Sequence, residues 1–288
     1  MSLPSATSSK VTIETHGCKL NQADSTTIAN QFTNAGYVLS EDIKSSEYFV
    51  LNTCTVTHIA DRKARKSIRN AKRTNPDIKI IVTGCYAESA PKILKDMPEV
   101  DHVIGNKNKT GLFNNLLNFD LKNNKSTPVN PITNKSRLMV KIQEGCDQIC
   151  AYCIIPKVRG REKSVDSHKI IDVINQSISS DNKEVVLTGT ELGSYGFELE
   201  NQSLPILIDS KLDKSDIPRL RVSSLQPQEI NTNLLSKWQN NRLCPHFHIS
   251  LQSGNEKILK SMRRKYTLDQ YSKTIDRIRK TIPGVSIT

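Results

Sequence analysis

Residues 137–153 read RLMVKIQEGCDQICAYC. The β-rich run over 138–143 predicts a strand, and three cysteines follow at once in the spacing C-x3-C-x2-C: Cys146, Cys150 and Cys153. A loop this short can wrap three thiolates around one metal cluster. A four-iron cluster has four metal corners and is ordinarily held by four thiolates, so three ligands leave one iron open to a substrate or cofactor. Tetrahedral zinc is the competing occupant, but the C-x2-C…C-x2-C pairing typical of structural zinc is absent. The bland alternative, three unrelated buried thiols, does not account for their spacing or their place behind a strand.

Downstream of this loop, strands are expected at 184–187, 219–223 and 247–251. Helices are expected at 165–180, 204–212, 230–240, 255–262 and 268–281, and a fifth strand starts at 285–288. Four strand–helix units and a fifth strand describe a partial (β/α) barrel, whose active site belongs at the carboxyl ends of its strands. Upstream, strands at 11–17, 48–54, 78–84 and 100–104 alternate with helices at 22–35, 56–73, 88–95 and 111–118. This predicts a flavodoxin/Rossmann-like parallel sheet with helices on both faces. Residues 120–136, DLKNNKSTPVNPITNKS, are polar and carry two prolines, the composition of a linker. The α/β chain is thus expected to form a domain over 9–119 and a second over 137–288, in keeping with about 100–200 residues per domain for a length of 288.

The upstream sheet has its own cysteines. Cys18 in ETHGC, Cys54 in LNTC and Cys85 in VTGC each lie just past the carboxyl end of an expected parallel strand. In an open α/β sheet those ends form one ligand-binding edge, so thiols distant in sequence can converge there. Soft thiolates together suit iron–sulfur clusters or zinc; singly, each would be a small buried hydrophobe. Cys244, in NRLCP, has no such partner and reads as structural.

Composition narrows the class. With 41 Lys+Arg against 29 Asp+Glu the net charge is +12, which favours polyanionic partners. No window has the roughly 20 apolar residues of a membrane span, and MSLPSATSSK at the start lacks the apolar core of a secretory signal. An odd seven cysteines in 288 residues argues against a disulfide scaffold, so a reduced, cytoplasmic chain is expected. The helix over 56–73 concentrates charge: at about 100° per residue, Arg62, Arg65, Lys66, Arg69, Lys72 and Arg73 share one arc, opposite Ala64, Ile68 and Ala71. This is either a solvated amphipathic face or a phosphate-binding one. Arg159 and Arg161, just after the cysteine loop, and Arg263, Arg264 and Lys265 add candidates for polyanion contact.

These residues resemble the methylthiotransferase family of radical S-adenosylmethionine (SAM) enzymes. The resemblance rests on HGCKLNQAD, NTCTVT and TGCYAE around the first three cysteines and on EGCDQICAYCIIP around the second three. VRGRE (158–162), LTGTELGSYG (187–196), RVSSLQP (221–227) and HISLQSGNEKILKSMRRKYT (248–267) extend it over residues 11–288. At the first cysteine, HGCKLN resembles the branch acting on N6-threonylcarbamoyladenosine beside the tRNA anticodon; the isopentenyladenosine branch typically has GCQMN there and the ribosomal-protein branch GCPKN.

The resemblance implies two [4Fe-4S] clusters. Cys146, Cys150 and Cys153 would hold the one whose open iron chelates SAM and cleaves it to a 5′-deoxyadenosyl radical, which attacks carbon 2 of the adenine. Cys18, Cys54 and Cys85 would hold the one that presents the sulfur, and a second SAM would supply the methyl group. Gly189, Thr190 and Glu191 would meet the methionine moiety of SAM; read without the adjacent cysteine loop, an ordinary strand-to-helix turn is the favoured reading. Ser223, Ser224, Gln252 and Ser253, at strand ends on the same rim, are candidate hydrogen-bonders to ribose or substrate. Tyr152 is a candidate stacking partner for the SAM adenine or a loop anchor. The partners implied are tRNA and a low-potential donor such as flavodoxin or ferredoxin, with the enzyme monomeric and away from membranes.

The chain ends at Ile282-Pro283-Gly284-Val285-Ser286-Ile287-Thr288, a turn and a strand just begun. The expectation is a chain stopping in mid-element, short of the rest of the barrel and the TRAM RNA-binding domain that the family carries. Three other readings compete: the same chemistry on isopentenyladenosine tRNA or a ribosomal-protein aspartate, a non-catalytic iron–sulfur electron carrier, and a zinc-dependent nucleic-acid-binding module.

Overall fold

Alternation along two strands decides how the first unit packs. In the computed structural model, which describes residues 9–111, 136–178 and 182–288, β3 (Tyr48–Thr53) is buried along its whole length between β1 (Lys10–Thr15) and β4 (Lys79–Gly84). Phe49 and Leu51 of β3 and Ile80 and Val82 of β4 point to one face, where they meet Ala64, Ile68 and Ala71 of α2 (His58–Thr74). Tyr48, Val50 and Ile81 point to the other, against Ile28 and Phe32 of α1 (Lys19–Asn34). Each such large side chain contributes about 1.5–3 kcal/mol on burial, so both helices are held by their apolar stripes. With β2 (Val38–Leu39) and β5 (His102–Ile104) the sheet has the order β2-β1-β3-β4-β5, parallel throughout. It is the flavodoxin-like order, which reverses direction between β1 and β3.

The single helix expected over 88–95 is two: α3 (Cys85–Ser89) and α4 (Pro91–Lys95). Pro91 has no N–H for the preceding turn and starts a helix anew. The helix expected over 111–118 lies, beyond Gly111, outside the described residues, as do residues 120–135 of the expected linker. The chain divides into two compact units, Met1–Pro131 and Ile132–Thr288.

In the second unit, β6 (Arg137–Lys141), β9 (Glu184–Thr188) and β10 (Arg219–Val222) form a parallel sheet of order β10-β9-β6. After Ser223, whose N–H bonds to the Leu187 carbonyl at 3.1 Å, the third strand resumes as β11 (Ser224–Leu225) and pairs with β12 (His246–Ile249), which pairs with β13 (Ser286–Ile287). Neighbours in space are thus neighbours in sequence, as in the first five strands of a (β/α) barrel. Helices α6 (Ser167–Ile178), α7 (Leu204–Lys214), α8 (Thr232–Ser236), α9 (Glu256–Ser261) and α10 (Leu268–Thr281) connect them. The core between the sheet and these helices includes Val185, Leu187, Ile208, Leu220, Phe247 and Ile278.

Three details depart from the sequence reading. The helix expected over 230–240 is α8 and a separate 3-10 turn, Lys237–Gln239. A short helix, α5 (Ile155–Arg159), follows the cysteine loop. A two-residue hairpin pairs β7 (Gln143–Glu144) antiparallel with β8 (Lys163–Ser164); elements this short carry no periodicity to read. No described helix is long and apolar enough to cross a membrane.

Candidate metal centres

The first site lies at the carboxyl ends of β1, β3 and β4. Cys18 is the N-cap of α1, Cys54 follows β3, and Cys85 opens α3. Their approach depends on glycine. Gly17 has φ +102°, and a Cβ there would lie 2.7 Å from Cys54 Cβ and 3.1 Å from its sulfur. Gly84, at φ +98°, passes so close to β3 that a Cβ would stand 2.4 Å from the Thr53 carbonyl oxygen. Two asparagines brace the same edge: Asn21 Nδ2 donates to the carbonyls of His16 (2.7 Å) and Thr53 (2.9 Å), and Asn52 Nδ2 to that of Asn21 (2.8 Å). Asn106 Nδ2 stands 3.7 Å from the buried Cys85 sulfur. Burial pushes the Cys54 thiol up, and the neighbouring Cys85 and Cys18 sulfurs push it the same way. The topological reversal between β1 and β3 thus coincides with the convergence of three thiols.

The second site is a loop closed at its base by the β7–β8 hairpin. Gly145 has φ +77°, and a Cβ there would overlap the Arg161 carbonyl oxygen at 1.9 Å; Cys146 N–H bonds to Gly160 O at 3.2 Å. Asp147 N–H donates to Glu162 Oε1 (3.2 Å) and Glu162 N–H to Asp147 Oδ1 (3.3 Å). Cys146, Cys150 and Cys153 are all half-buried on this loop, and no cysteine of the chain is in a disulfide.

Glu191 is the hub beside it. Gln143 Oε1 accepts the backbone N–H groups of Thr190 (2.8 Å) and Glu191 (2.9 Å), while its Nε2 donates to Gly145 O at 2.9 Å. One side chain thus staples the glycine loop to the cysteine loop. Cys146 Sγ donates to Glu191 Oε2 at 2.9 Å, and Glu191 Oε1 accepts from Gln226 Nε2 at 3.0 Å and from Gln148 Nε2. Burial, then the Glu191 hydrogen bond, pushes the Cys146 thiol far up. Burial together with the Glu191 carboxylate pushes Glu229 up to about 8 and raises Glu162. Carboxyls crowded in a low-dielectric site do not all ionise.

The donor chemistry discriminates between occupants. Cys146, Glu162 and Glu191 bring one ligand atom each within 4.8 Å of one another, and among the described residues neither cysteine triad meets this tightly. Thiolates on one tetrahedral zinc stand ~3.8 Å apart, given Zn–S bonds of about 2.3 Å. Wider-set thiols fit a polynuclear cluster.

The other expected residues divide. Gly189 packs on Gln143, where a Cβ would lie 2.9 Å from Oε1. Ser223 is buried, Gln252 is exposed at φ +65°, and Tyr152 is 50 % exposed. Arg62, Lys66, Arg69 and Arg73 are exposed along α2. Arg65 is drawn inward by a 2.5 Å bond to Tyr86 Oη, and Lys72 donates to Ile78 O at 2.8 Å. Arg161 is exposed beside Asp147 at 3.2 Å. Arg159 corrects the sequence reading: its side chain is buried and pairs with Glu144 at 2.5 Å, so it offers nothing to a polyanion. Cys244 is buried, and its carbonyl accepts the Trp238 indole N–H at 2.9 Å. Gln143, Gln148, Gln226 and Glu229 escaped the sequence reading because each acts across 35 or more residues or through an unremarkable side chain.

Comparison with known proteins fits this geometry. Residues 10–105 match the uncharacterized protein family UPF0004, and residues 140–288 match the radical SAM superfamily. Threonylcarbamoyladenosine tRNA methylthiotransferase MtaB of Bacillus subtilis (strain 168) is 33% identical, covering 96% of this chain and 65% of its own length. MtaB of Aquifex aeolicus (strain VF5) is 36% identical, over 96% and 71%. The chain therefore spans about two thirds of the length of these relatives. Among solved structures, the radical SAM methyltransferase TsrM of Kitasatospora setae, with tryptophan substrate and a SAM analog bound, superposes with a TM-score of 0.68 at 12% identity, over 97% of this chain and 67% of that one, a likeness of fold. The chain belongs to the radical SAM superfamily and, within it, to the family of the methylthiotransferases MiaB, RimO and MtaB.

Proposed function

We propose that the chain is the catalytic part of a cytoplasmic, monomeric tRNA methylthiotransferase that places a methylthio group on carbon 2 of N6-threonylcarbamoyladenosine beside the anticodon. The observation that carries this is the stapled pair of loops: three thiols in C-x3-C-x2-C, closed by the β7–β8 hairpin and joined through Gln143 to the Gly189–Glu191 turn. Cys146, Cys150 and Cys153 would hold one [4Fe-4S] cluster and Cys18, Cys54 and Cys85 a second. When bound, the clusters and SAM supply the one-electron chemistry and the sulfur, with the electron drawn from a flavodoxin or ferredoxin.

The protein's part is placement. Gln148 and Gln226 hold the Glu191 carboxylate as an acceptor, suited to the ammonium of the SAM methionine moiety. The backbone of Gly189 and Thr190 approaches closely for want of a side chain at 189. The half-exposed Tyr152 ring offers a stacking face to the adenine, and Ser223 and Gln252 offer polar groups to ribose or substrate. The test is anaerobic reconstitution with iron, sulfide, SAM, reductant and tRNA bearing threonylcarbamoyladenosine, followed by nucleoside mass spectrometry. A product heavier by one methylthio group is expected; the same gain on isopentenyladenosine alone would reassign the substrate.

The tRNA backbone would lie along α2. Arg62, Lys66, Arg69 and Arg73 form an exposed cationic row with Asp61 as the one acid in the helix. Reversing Arg62, Lys66 and Arg69 to glutamate is expected to weaken tRNA binding by at least tenfold at 0.1 M salt. It should also reduce the slope of log K against log[salt] by about 2–3, since each phosphate contact contributes about 0.7–0.9. Filter binding across a salt series measures both, and an unchanged slope would move the RNA elsewhere.

A further inference from the structure

We infer that Arg264 is a positioning residue for the cluster loop, donating a hydrogen bond to the Cys150 sulfur and thereby setting the reduction potential of the iron bound there. The inference rests on the reading that Cys146, Cys150 and Cys153 hold a cluster, and it adds a residue from outside their loop.

The geometry begins at the end of α9. Met262 caps that helix, and Arg263 follows with φ +57°, a left-handed turn that ends the helix. The turn sends Arg264 inward, while Arg263 and Lys265 on either side of it stay exposed. Arg264 Nη1 stands 3.4 Å from Cys150 Sγ, and Nη2 is 2.9 Å from Gln226 Oε1. The guanidinium lies over the Tyr266 ring, 5.0 Å from its centroid. That ring is itself fixed, since Tyr266 is buried and its hydroxyl is within 2.8 Å of Ser250 O and 2.7 Å of Leu251 O. A second bond from the same segment, Ala151 N–H to Met262 O at 3.1 Å, ties down the next residue of the cysteine loop.

Arg264 therefore joins three parts of the unit: the cysteine loop, the end of the third strand at Gln226, and the segment after α9. Gln226 in turn holds Glu191, so one cation is linked to both walls of the site. A lysine could not reproduce this, because the planar fork serves two acceptors at once and stacks on a ring. The consequence follows from charge. Reduction adds one electron to the cluster, and a nearby cation with an N–H aimed at a ligand sulfur stabilises the more negative state. Hydrogen bonds to sulfur and local charge are among the factors that set iron–sulfur potentials, and partners behind the ligands orient them.

The test uses the full chain carrying Cys18→Ala, Cys54→Ala and Cys85→Ala, so that a single cluster is observed. This protein and its Arg264→Gln and Arg264→Lys derivatives are reconstituted anaerobically with iron and sulfide. Iron per chain, circular dichroism and the reduced fraction in a dithionite titration followed by electron paramagnetic resonance are then measured. With Arg264→Gln the ratio of reduced to oxidised cluster at a fixed solution potential is expected to fall about tenfold, equivalent to about 59 mV for one electron. Arg264→Lys keeps the charge without the fork and should shift the same way by about threefold. If Arg264→Gln loads the same iron at an unchanged ratio, the inference is overturned while the cluster reading stands. If Arg264→Gln does not fold, an unchanged ratio in Arg264→Lys overturns it equally. If the parent with Arg264 intact takes up no iron, the cluster reading fails and the inference with it.

Discussion

Replacing Cys146, Cys150 and Cys153 together by alanine is expected to halve the iron of the reconstituted chain, from about eight atoms to about four, at four per cluster. It should also abolish reductive cleavage of SAM to 5′-deoxyadenosine. The complementary triple replacement of Cys18, Cys54 and Cys85 should leave about four irons and keep SAM cleavage, but end methylthio transfer. The two triads sit in different compact units, on different sheets, so each loss should leave the other site loaded. The replacements are mild for the fold. Cys18 is exposed, Cys54 and the second triad are half-buried, and Cys85 alone is buried; trimming one sulfur at such places costs on the order of 1 kcal/mol. Iron analysis, visible absorption and chromatography of 5′-deoxyadenosine read the outcome directly. Zinc at about two atoms per chain with no iron would overturn both assignments, against the wide setting of the thiols.

Gly84→Ala is expected to destabilise the first unit by about 2–6 kcal/mol and to empty the first site of iron. Two costs add. The backbone there has φ +98° and ψ −164°, a region essentially reserved for glycine, worth about 1–3 kcal/mol of strain for any other residue. The new methyl would also lie 2.4 Å from Thr53 O and 2.5 Å from Thr53 N. Those are main-chain atoms of the central strand, and they cannot move without breaking the β3–β4 ladder; overpacking of this kind costs about 1–3 kcal/mol more. Gly36→Ala is the control. It also has positive φ, +88°, but nothing lies within 4 Å of the added carbon, so its cost should be about 1 kcal/mol. Urea melts of the two variants should differ by at least about 1 kcal/mol; equal melts would mean that β3 and β4 are less tightly apposed than the structure has them.

Much of this was legible in advance because it depends on local periodicity. The parallel strands, the main helices and the partial barrel follow from alternating and helical apolar patterns, and α10 spans Leu268–Thr281, the range expected from its pattern. Thiols just past strand ends were legible because parallel strands share one carboxyl edge. The errors lie where side chains meet from afar. Arg159 reads as a candidate for polyanion contact because it follows the cysteine loop beside Arg161, yet Glu144, fifteen residues earlier, captures it. Arg264 looked like one of three exposed cations in a basic run; the left-handed Arg263 turns it inward.

The sequence by itself determined the main strands and helices, their order, and which cysteines stand at their ends, because burial of period-2 and period-3.6 stripes and the conformational freedom of glycine act over a few residues. Only the tertiary structure decided what surrounds those cysteines. Gln143, Gln148 and Gln226 converge on the Glu191 loop, and Arg264 closes on Cys150, through hydrogen bonds between segments brought together by the sheet. Such bonds need donors and acceptors aligned to within a few tenths of an ångström, and that alignment is set by the packed core, with no trace in the spacing of residues along the chain.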